Sequence, residues 1–162
     1  MAIRLRNMTA LYIKDGTRYL LMYRIGSRIV HPSWCGIGGH FEKDELNDPE
    51  VAALRELMEE SGLTENDLFN ISLRYVTSRL KNDEIRQNYY YFANLRDGAQ
   101  VNMKSSEGEL KWIEADELPF DEMPHTAKYI MKHYVEIGEA NDILYIGTAV
   151  DDGVIFHELV EF

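Results

Sequence analysis

The sequence predicts an α/β protein, a three-layer α/β/α sandwich around a mixed β-sheet. Three observations lead there. Short apolar runs of strand length recur between turn signals, and two segments, one in the first half and one near the C-terminus, read as helices. The length of 162 residues and a hydrophobic content of 45% suit one domain, residues 1–162, with a sizeable core.

The elements follow in order. Met8 to Ile13 and Tyr19 to Tyr23 flank Lys14-Asp15-Gly16 and read as a hairpin. Trp34 to Phe41 reads as a short strand and a loop. The first helix is expected from Pro49 to Ser61: Asp48 can cap it, Pro49 suits its first position, and Gly62 is placed to end it. Ile71 to Val76 and Gln87 to Leu95 read as strands, the second around Tyr89-Tyr90-Tyr91-Phe92, and Leu110 to Ile113 as a shorter one. A second helix covers Thr126 to Ile137 and stops at Gly138. Leu144 to Val150 and Val154 to Leu159 flank Asp151-Asp152-Gly153, a strong hairpin signal.

Composition narrows the function classes. No apolar run approaches the roughly 18 residues of a membrane span, and Met1-Ala2-Ile3-Arg4 does not open a secretory signal. The single cysteine, Cys35, excludes an internal disulfide and is compatible with a reducing cytoplasm, the expected location. A net charge of −11 argues against non-specific nucleic-acid binding, which needs a basic footprint. It does not oppose a phosphorylated substrate, because a local metal and a few arginines can dominate inside a cleft.

The most informative stretch lies between Gly38 and Leu63. Glu56, Glu59 and Glu60 fall at i, i+3 and i+4, within an arc of about 100° on the expected helix. Val51, Leu54, Leu57 and Met58 occupy the opposite arc, and Ala52 and Ala53 flank the acidic stripe. Like charges at these spacings cost roughly 0.2–0.5 kcal/mol per pair. Glu59 and Glu60 also sit in the last turn, where the helix dipole disfavours anions by about 0.3–1 kcal/mol each. A divalent cation reverses both penalties, and carboxylates with backbone carbonyls are the hard oxygen ligands Mg²⁺ takes. A solvated acidic face fits the same spacing.

Residue order separates the two accounts. Gly39, five residues, Glu45, and then Arg55-Glu56-Leu57-Met58-Glu59-Glu60-Ser61-Gly62-Leu63 resembles the box of the Nudix family, residues 39–63 here. Nine residues, Leu46 to Leu54, stand where the family has seven; Asn47-Asp48-Pro49 is the expected site of the extra two, ahead of the helix. The resemblance implies an α/β/α Nudix fold and a hydrolase that cleaves nucleoside diphosphates linked to another group. It implies Mg²⁺, with Mn²⁺ as a substitute, held by Glu56, Glu59, Glu60, the Gly38 carbonyl and Glu107. It further implies that Glu56 or Glu107 is the general base, and that Arg55 orients the catalytic carboxylates with Glu45 as its partner. Arg24 and Gly39 form the expected substrate-binding pair, with Arg28 a weaker candidate. Glu107, five residues before Trp112, matches the family's loop carboxylate better than Glu109 does.

The stretch from Trp112 to Met123 is similar to that of oxidised-purine nucleoside triphosphatases, the mutator type. Those enzymes continue with a Trp and a pair of Asp residues, where this chain reads Pro124-His125-Thr126-Ala127. The expected substrate is therefore a nucleoside triphosphate cut to the monophosphate and pyrophosphate, 8-oxo-dGTP being one candidate with weak base discrimination. ADP-ribose or another nucleotide sugar is the alternative. So is a nucleotide-sensing module without catalysis, or an isomerase using Cys35. Neither nucleic acid nor membrane is expected as a partner, and the protein is expected to act as a monomer or homodimer. The five histidines show no HExxH-type metal spacing, and Ser61 has no triad context.

Overall fold

The computed structural model describes residues 2–25 and 31–160. β1 (Arg4–Asp15) and β2 (Arg18–Arg24) form the expected hairpin, with Ile13 opposite Leu20 and Asp15 opposite Arg18. Beyond Leu20 the two strands part. The next segment fills the gap: β3 (Ser33–Cys35) pairs with the far half of β2, and the chain then crosses to β1. There Ile37 and Leu11 exchange backbone hydrogen bonds, and the Thr9 N–H donates to the Gly39 carbonyl at 2.9 Å. The glycine loop is thereby stitched into the sheet.

The remaining elements are α1 (Pro49–Ser61), β4 (Leu68–Lys81), β5 (Glu84–Leu95), β6 (Gly108–Glu114), α2 (His125–Glu136), β7 (Tyr145–Val150) and β8 (Gly153–Glu158). The strand order is β3-β2-β1-β5-β4-β7-β8, with β6 also pairing with β2. β1 runs parallel to β5 and β4 to β7, and the other pairs are antiparallel, so the sheet is mixed as expected. Alternation along the strands divides the core in two. Leu11 and Ile13 join Leu20, Leu57, Leu63 and Tyr91 on the α1 side, while Tyr12 joins Tyr75, Phe92, Ile130 and Met131 on the α2 side. These are the three layers of the sandwich. Among the described residues no helix is long and apolar enough to cross a membrane.

Helix α1 has the expected bounds for the expected reasons. The Asp48 carboxylate accepts from the Val51 N–H at 3.3 Å, Pro49 opens the helix, and Gly62 closes it at φ 72° with its N–H on the Met58 carbonyl. The face it buries differs from expectation. Val51 and Met58, set opposite the acidic stripe, are 49% and 53% exposed, whereas Ala52, Ala53, Glu56, Leu57 and Glu60 are buried. The small alanines let the helix lie close to the sheet, and that turns Glu56 and Glu60 inward. Strand β4 is also longer than Ile71 to Val76, because its pairing with β5 continues through Arg79 opposite Arg86 to Lys81 opposite Glu84.

One buried cation fastens the α2 layer to the sheet. Arg74, 4% exposed, donates to the Gly138 carbonyl at 2.8 Å, the Ile143 carbonyl at 3.1 Å and Asn141 Oδ1 at 3.0 Å. Without it, two carbonyls in the turn after α2 lose their donor. Arg74→Met is expected to lower the free energy of unfolding by about 2–4 kcal/mol in urea titration at constant m-value. A change within about 0.5 kcal/mol, the usual range for surface substitutions, would mean that the turn finds other donors.

Candidate active site

The split between β1 and β2 sets the geometry. Gly38 lies so close to β1 that a Cβ there would overlap the Thr9 carbonyl, and a Cβ on Gly39 would stand 2.5 Å from Glu56 Oε1. Glycine at both positions allows the acidic side of α1 to approach the backbone of the loop. Glu56 and Glu60 are 8% and 4% exposed, so two of the three box acids do not lie on a solvated face. The Glu59 side chain is 56% exposed.

Two arginines organise the acids. Arg55 Nε donates to Glu45 Oε1 at 2.6 Å and its Nη2 to Glu45 Oε2 at 3.0 Å, a bidentate pair. Its Nη1 reaches Glu56 at 2.9 Å and Glu59 at 3.2 Å, and Nη2 also reaches the His40 carbonyl at 3.0 Å. The two-residue insertion does not disturb this pair. It is absorbed in a turn in which the Asp48 N–H donates to the Glu45 carbonyl at 2.9 Å. Arg24 carries the second cluster: its Nη2 lies 2.8 Å from the Gly38 carbonyl, 2.8 Å from Glu107 Oε2 and 3.3 Å from Glu60 Oε1.

The environment makes these acids poor anions without a cation. Burial pushes the Glu60 carboxyl up to about 8; the Arg24 guanidinium pulls against it, while hydrogen bonding to Glu107 and the charges of Glu107 and Glu56 push the same way as burial. Burial likewise raises Glu56, opposed by Arg55. Glu60 Oε2 is buried with no hydrogen-bond partner among the described residues. No three His, Cys, Asp or Glu side chains among those residues form a closed metal site, because guanidinium groups stand between the acids. The donor set still fits a hard divalent cation: every group is an oxygen, one buried carboxylate oxygen is unpaired, and a positive Nη2 already draws three donors together.

Other expected residues separate cleanly. Glu109 makes no ion pair among the described residues, so Glu107 is the acid that the fold brings to the cluster. Arg28 lies outside the described residues. Burial pushes the Cys35 thiol up to about 11, which keeps it protonated. Ser61 bonds the Leu57 carbonyl at 2.7 Å, and His133 bonds the Tyr75 hydroxyl at 2.7 Å, both parts of the packing. Sequence reasoning missed a group of cations beside the site. A cavity of about 430 Å³ opens next to Arg24, Gly38 and His40 and is lined further on by Arg6, Arg79 and Arg86. Their signal is the i, i+2 spacing of polar residues that continues each strand beyond its apolar core.

The Arg55 hub has a pH signature. Hydrogen bonds from Arg55, opposed by burial, hold the Glu45 carboxyl below its ordinary value. A depressed folded pKa adds stability that is full above the unfolded pKa, about 4.3, and is lost as pH falls through the folded value. Glu45→Gln is therefore expected to cost about 1–3 kcal/mol at pH 7 and to flatten the acid limb of the stability–pH curve. An unchanged acid limb, read by denaturant titration from pH 7 to 3, would remove Glu45 from this role.

Known proteins supply the context. No curated protein matches the chain's sequence. Among solved structures, the mutator MutT protein of Bacillus halodurans superposes with a TM-score of 0.68 at 23% identity, covering 94% of this chain and 97% of that one. A NUDIX hydrolase from Nitrosomonas europaea gives 0.70 at 18%, covering 90% and 79%. The MutT protein of Methanosarcina mazei gives 0.65 at 17%, covering 86% and 99%. At these identities the likeness shows a shared fold. The family model described as the NUDIX domain matches residues 4–134, a span that contains the glycine loop, helix α1, Arg24 and Glu107, and the chain belongs to the Nudix hydrolase family.

Proposed function

We propose that this protein is a Mg²⁺-dependent pyrophosphohydrolase, with Mn²⁺ as a substitute, acting on a nucleoside diphosphate derivative. The first candidate is a nucleoside triphosphate cut to the monophosphate and pyrophosphate. The observation that carries the reading is the convergence of the Gly38 carbonyl, Glu60 and Glu107 on one cationic atom of Arg24, beside Glu56 and Glu59 on Arg55. Those five residues would hold the metal. When bound there, it neutralises charge on the phosphoryl oxygens and lowers the pKa of a bound water.

The chain's own groups do the remaining work. Arg55 fixes Glu56 and Glu59 in orientation, and the bare backbone of Gly39 lets the Glu56 carboxylate lie against the loop on which substrate would bind. Arg24, once the acids have another counter-ion, is free to pair with substrate phosphate, for which a guanidinium fork is well suited. Glu56 or Glu107 takes the proton from the attacking water. Glu107, with its side chain 50% exposed at the mouth of the cluster, can reach a substrate-side water, while Glu56 is tied to Arg55.

Other readings are weaker. A sensing module without catalysis has no need of three glutamates on one helix face. An isomerase using Cys35 needs a thiolate that burial disfavours. Readout of an oxidised purine needs polar groups matched to the base. At the cavity wall the chain instead offers Pro124, His125 and Thr126, with His125 Nε2 already 2.9 Å from the Val150 carbonyl. ADP-ribose stands as the second reading, because the cationic cavity beside Arg24 has room beyond one diphosphate. We place the protein in the cytoplasm, as a monomer or homodimer, without a nucleic-acid or membrane partner.

The test is a panel of dGTP, 8-oxo-dGTP and ADP-ribose with products identified by mass. Turnover is expected only with Mg²⁺ or Mn²⁺. Glu59→Gln and Glu60→Gln are each expected to lower kcat about a hundredfold or more with an unchanged circular dichroism spectrum. Glu107→Gln should lower kcat more than it raises KM. Metal-independent turnover, or near-parental rates in both box variants, would overturn the assignment.

A further inference from the structure

Three adjacent strands present arginines in one row. The register places Arg6 of β1 beside Arg86 of β5, and Arg86 opposite Arg79 of β4. The next row outward reads Arg4, Glu84 and Lys81. Strands lie about 4.8 Å apart, so the row is about 10 Å wide, and like charges directly across strands are destabilising. All three arginines line the cavity that also opens onto Gly38, His40 and Arg24.

The local neutralisation is incomplete. Glu84 serves both Arg86, at 2.7 Å, and Arg6, at 3.6 Å. Arg79 and Lys81 make no ion pair among the described residues. In a chain of net charge −11, five cations and one carboxylate in two neighbouring rows form a local field opposite to that of the whole molecule. A cavity with cationic walls concentrates anions. Its placement relative to the glycine loop limits what kind of anion. His40 pairs with Met8 at the end of that loop and accepts from Arg6 Nε at 3.2 Å, so the row begins beside the loop. Arg79 stands two strands further across the sheet, about 10 Å away, an offset that takes in a nucleoside sugar.

We infer that the substrate carries a second phosphate group, remote from the scissile diphosphate, which the Arg6–Arg86–Arg79 row binds. The inference rests on the proposed pyrophosphohydrolase reading and names its substrate class: a nucleotide phosphorylated again on its ribose. Planar guanidinium forks in a row suit the several oxygens of a phosphate monoester better than a neutral sugar or base. The site is too narrow a patch to act as a general nucleic-acid surface, and the rest of the chain repels a polyanion.

Binding is tested apart from turnover. Metal-free protein is titrated calorimetrically with adenosine 2′,5′-bisphosphate and with adenosine 5′-monophosphate. The bisphosphate is expected to bind about tenfold tighter or more. Arg79→Gln and Arg86→Gln should each shrink that ratio toward one, while Arg96→Gln, just past the other end of β5, leaves it unchanged. Hydrolysis is then compared within pairs: ADP-ribose against its 2′-phosphate, and guanosine 5′-triphosphate against its 3′-diphosphate derivative. A higher kcat/KM for the extra-phosphate member of each pair is expected, and the same two variants should abolish the difference. Equal binding of the two adenosine ligands overturns the inference even if hydrolysis is robust. Preferential cleavage of a 5′-triphosphorylated RNA oligonucleotide also overturns it, in favour of a polymer. Absence of turnover on every compound, with the binding preference intact, counts against the hydrolase reading and leaves the phosphate site standing.

Discussion

Carboxylates brought out of water repel one another and resist ionisation, and the centre of this molecule is built around that cost. Three of them, Glu45, Glu56 and Glu60, are buried between helix α1 and the glycine loop, with Glu59 and Glu107 half-exposed at the rim. Two guanidinium groups compensate them in different ways. Arg55 is embedded in a bidentate pair with Glu45 and further bonds to Glu56, Glu59 and the His40 carbonyl, so its position is over-determined. Arg24 reaches Gly38, Glu60 and Glu107 through a single nitrogen. The first is a fixed strut. The second is the counter-ion that a divalent cation would replace in the proposed reaction.

The sheet provides the space. Parting β1 from β2 after Leu20 admits the loop into the sheet without leaving its backbone groups unpaired, since Ile37, Gly39 and Phe41 bond to β1. Gly38 and Gly39 then bring a carbonyl and a clear approach to the buried edge of α1. The same parting opens the cavity on the α2 side, where Gly38 and Arg24, the partner of Glu60 and Glu107, share one volume with the cationic row. The acids bond Arg24 at one end of that volume, and the arginines of the row line it further in.

Much of this was legible in the sequence, and the exceptions have physical causes. Helix α1 was bounded correctly because Asp48, Pro49 and Gly62 act locally, through caps and a left-handed turn, and so depend on no distant partner. The Glu45–Arg55 pair survives a two-residue insertion because the extra residues fall in a turn ahead of the helix. What could not be read was which side of α1 faces inward. Hydropathy favours burying Val51 and Met58, but the close contact with Gly39 and the sheet demands alanines, and acids follow them in. Arg74, Arg79 and Arg86 were missed for a related reason. A strand that lines a polar cavity loses its apolar alternation, and a buried arginine satisfied by carbonyls looks like any surface arginine.

The proposed exchange at Arg24 is the step on which the account turns: the acids and the Gly38 carbonyl hold a guanidinium in this structure and would hold a divalent cation during turnover. Manganese binding, followed by electron paramagnetic resonance on nucleotide-free protein, reads it directly. If Arg24 competes for those oxygens, Arg24→Gln tightens Mn²⁺ binding, and combining it with Glu60→Gln abolishes the gain. Mn²⁺ affinity that is unchanged or weaker in Arg24→Gln would contradict the exchange and place the metal on other ligands.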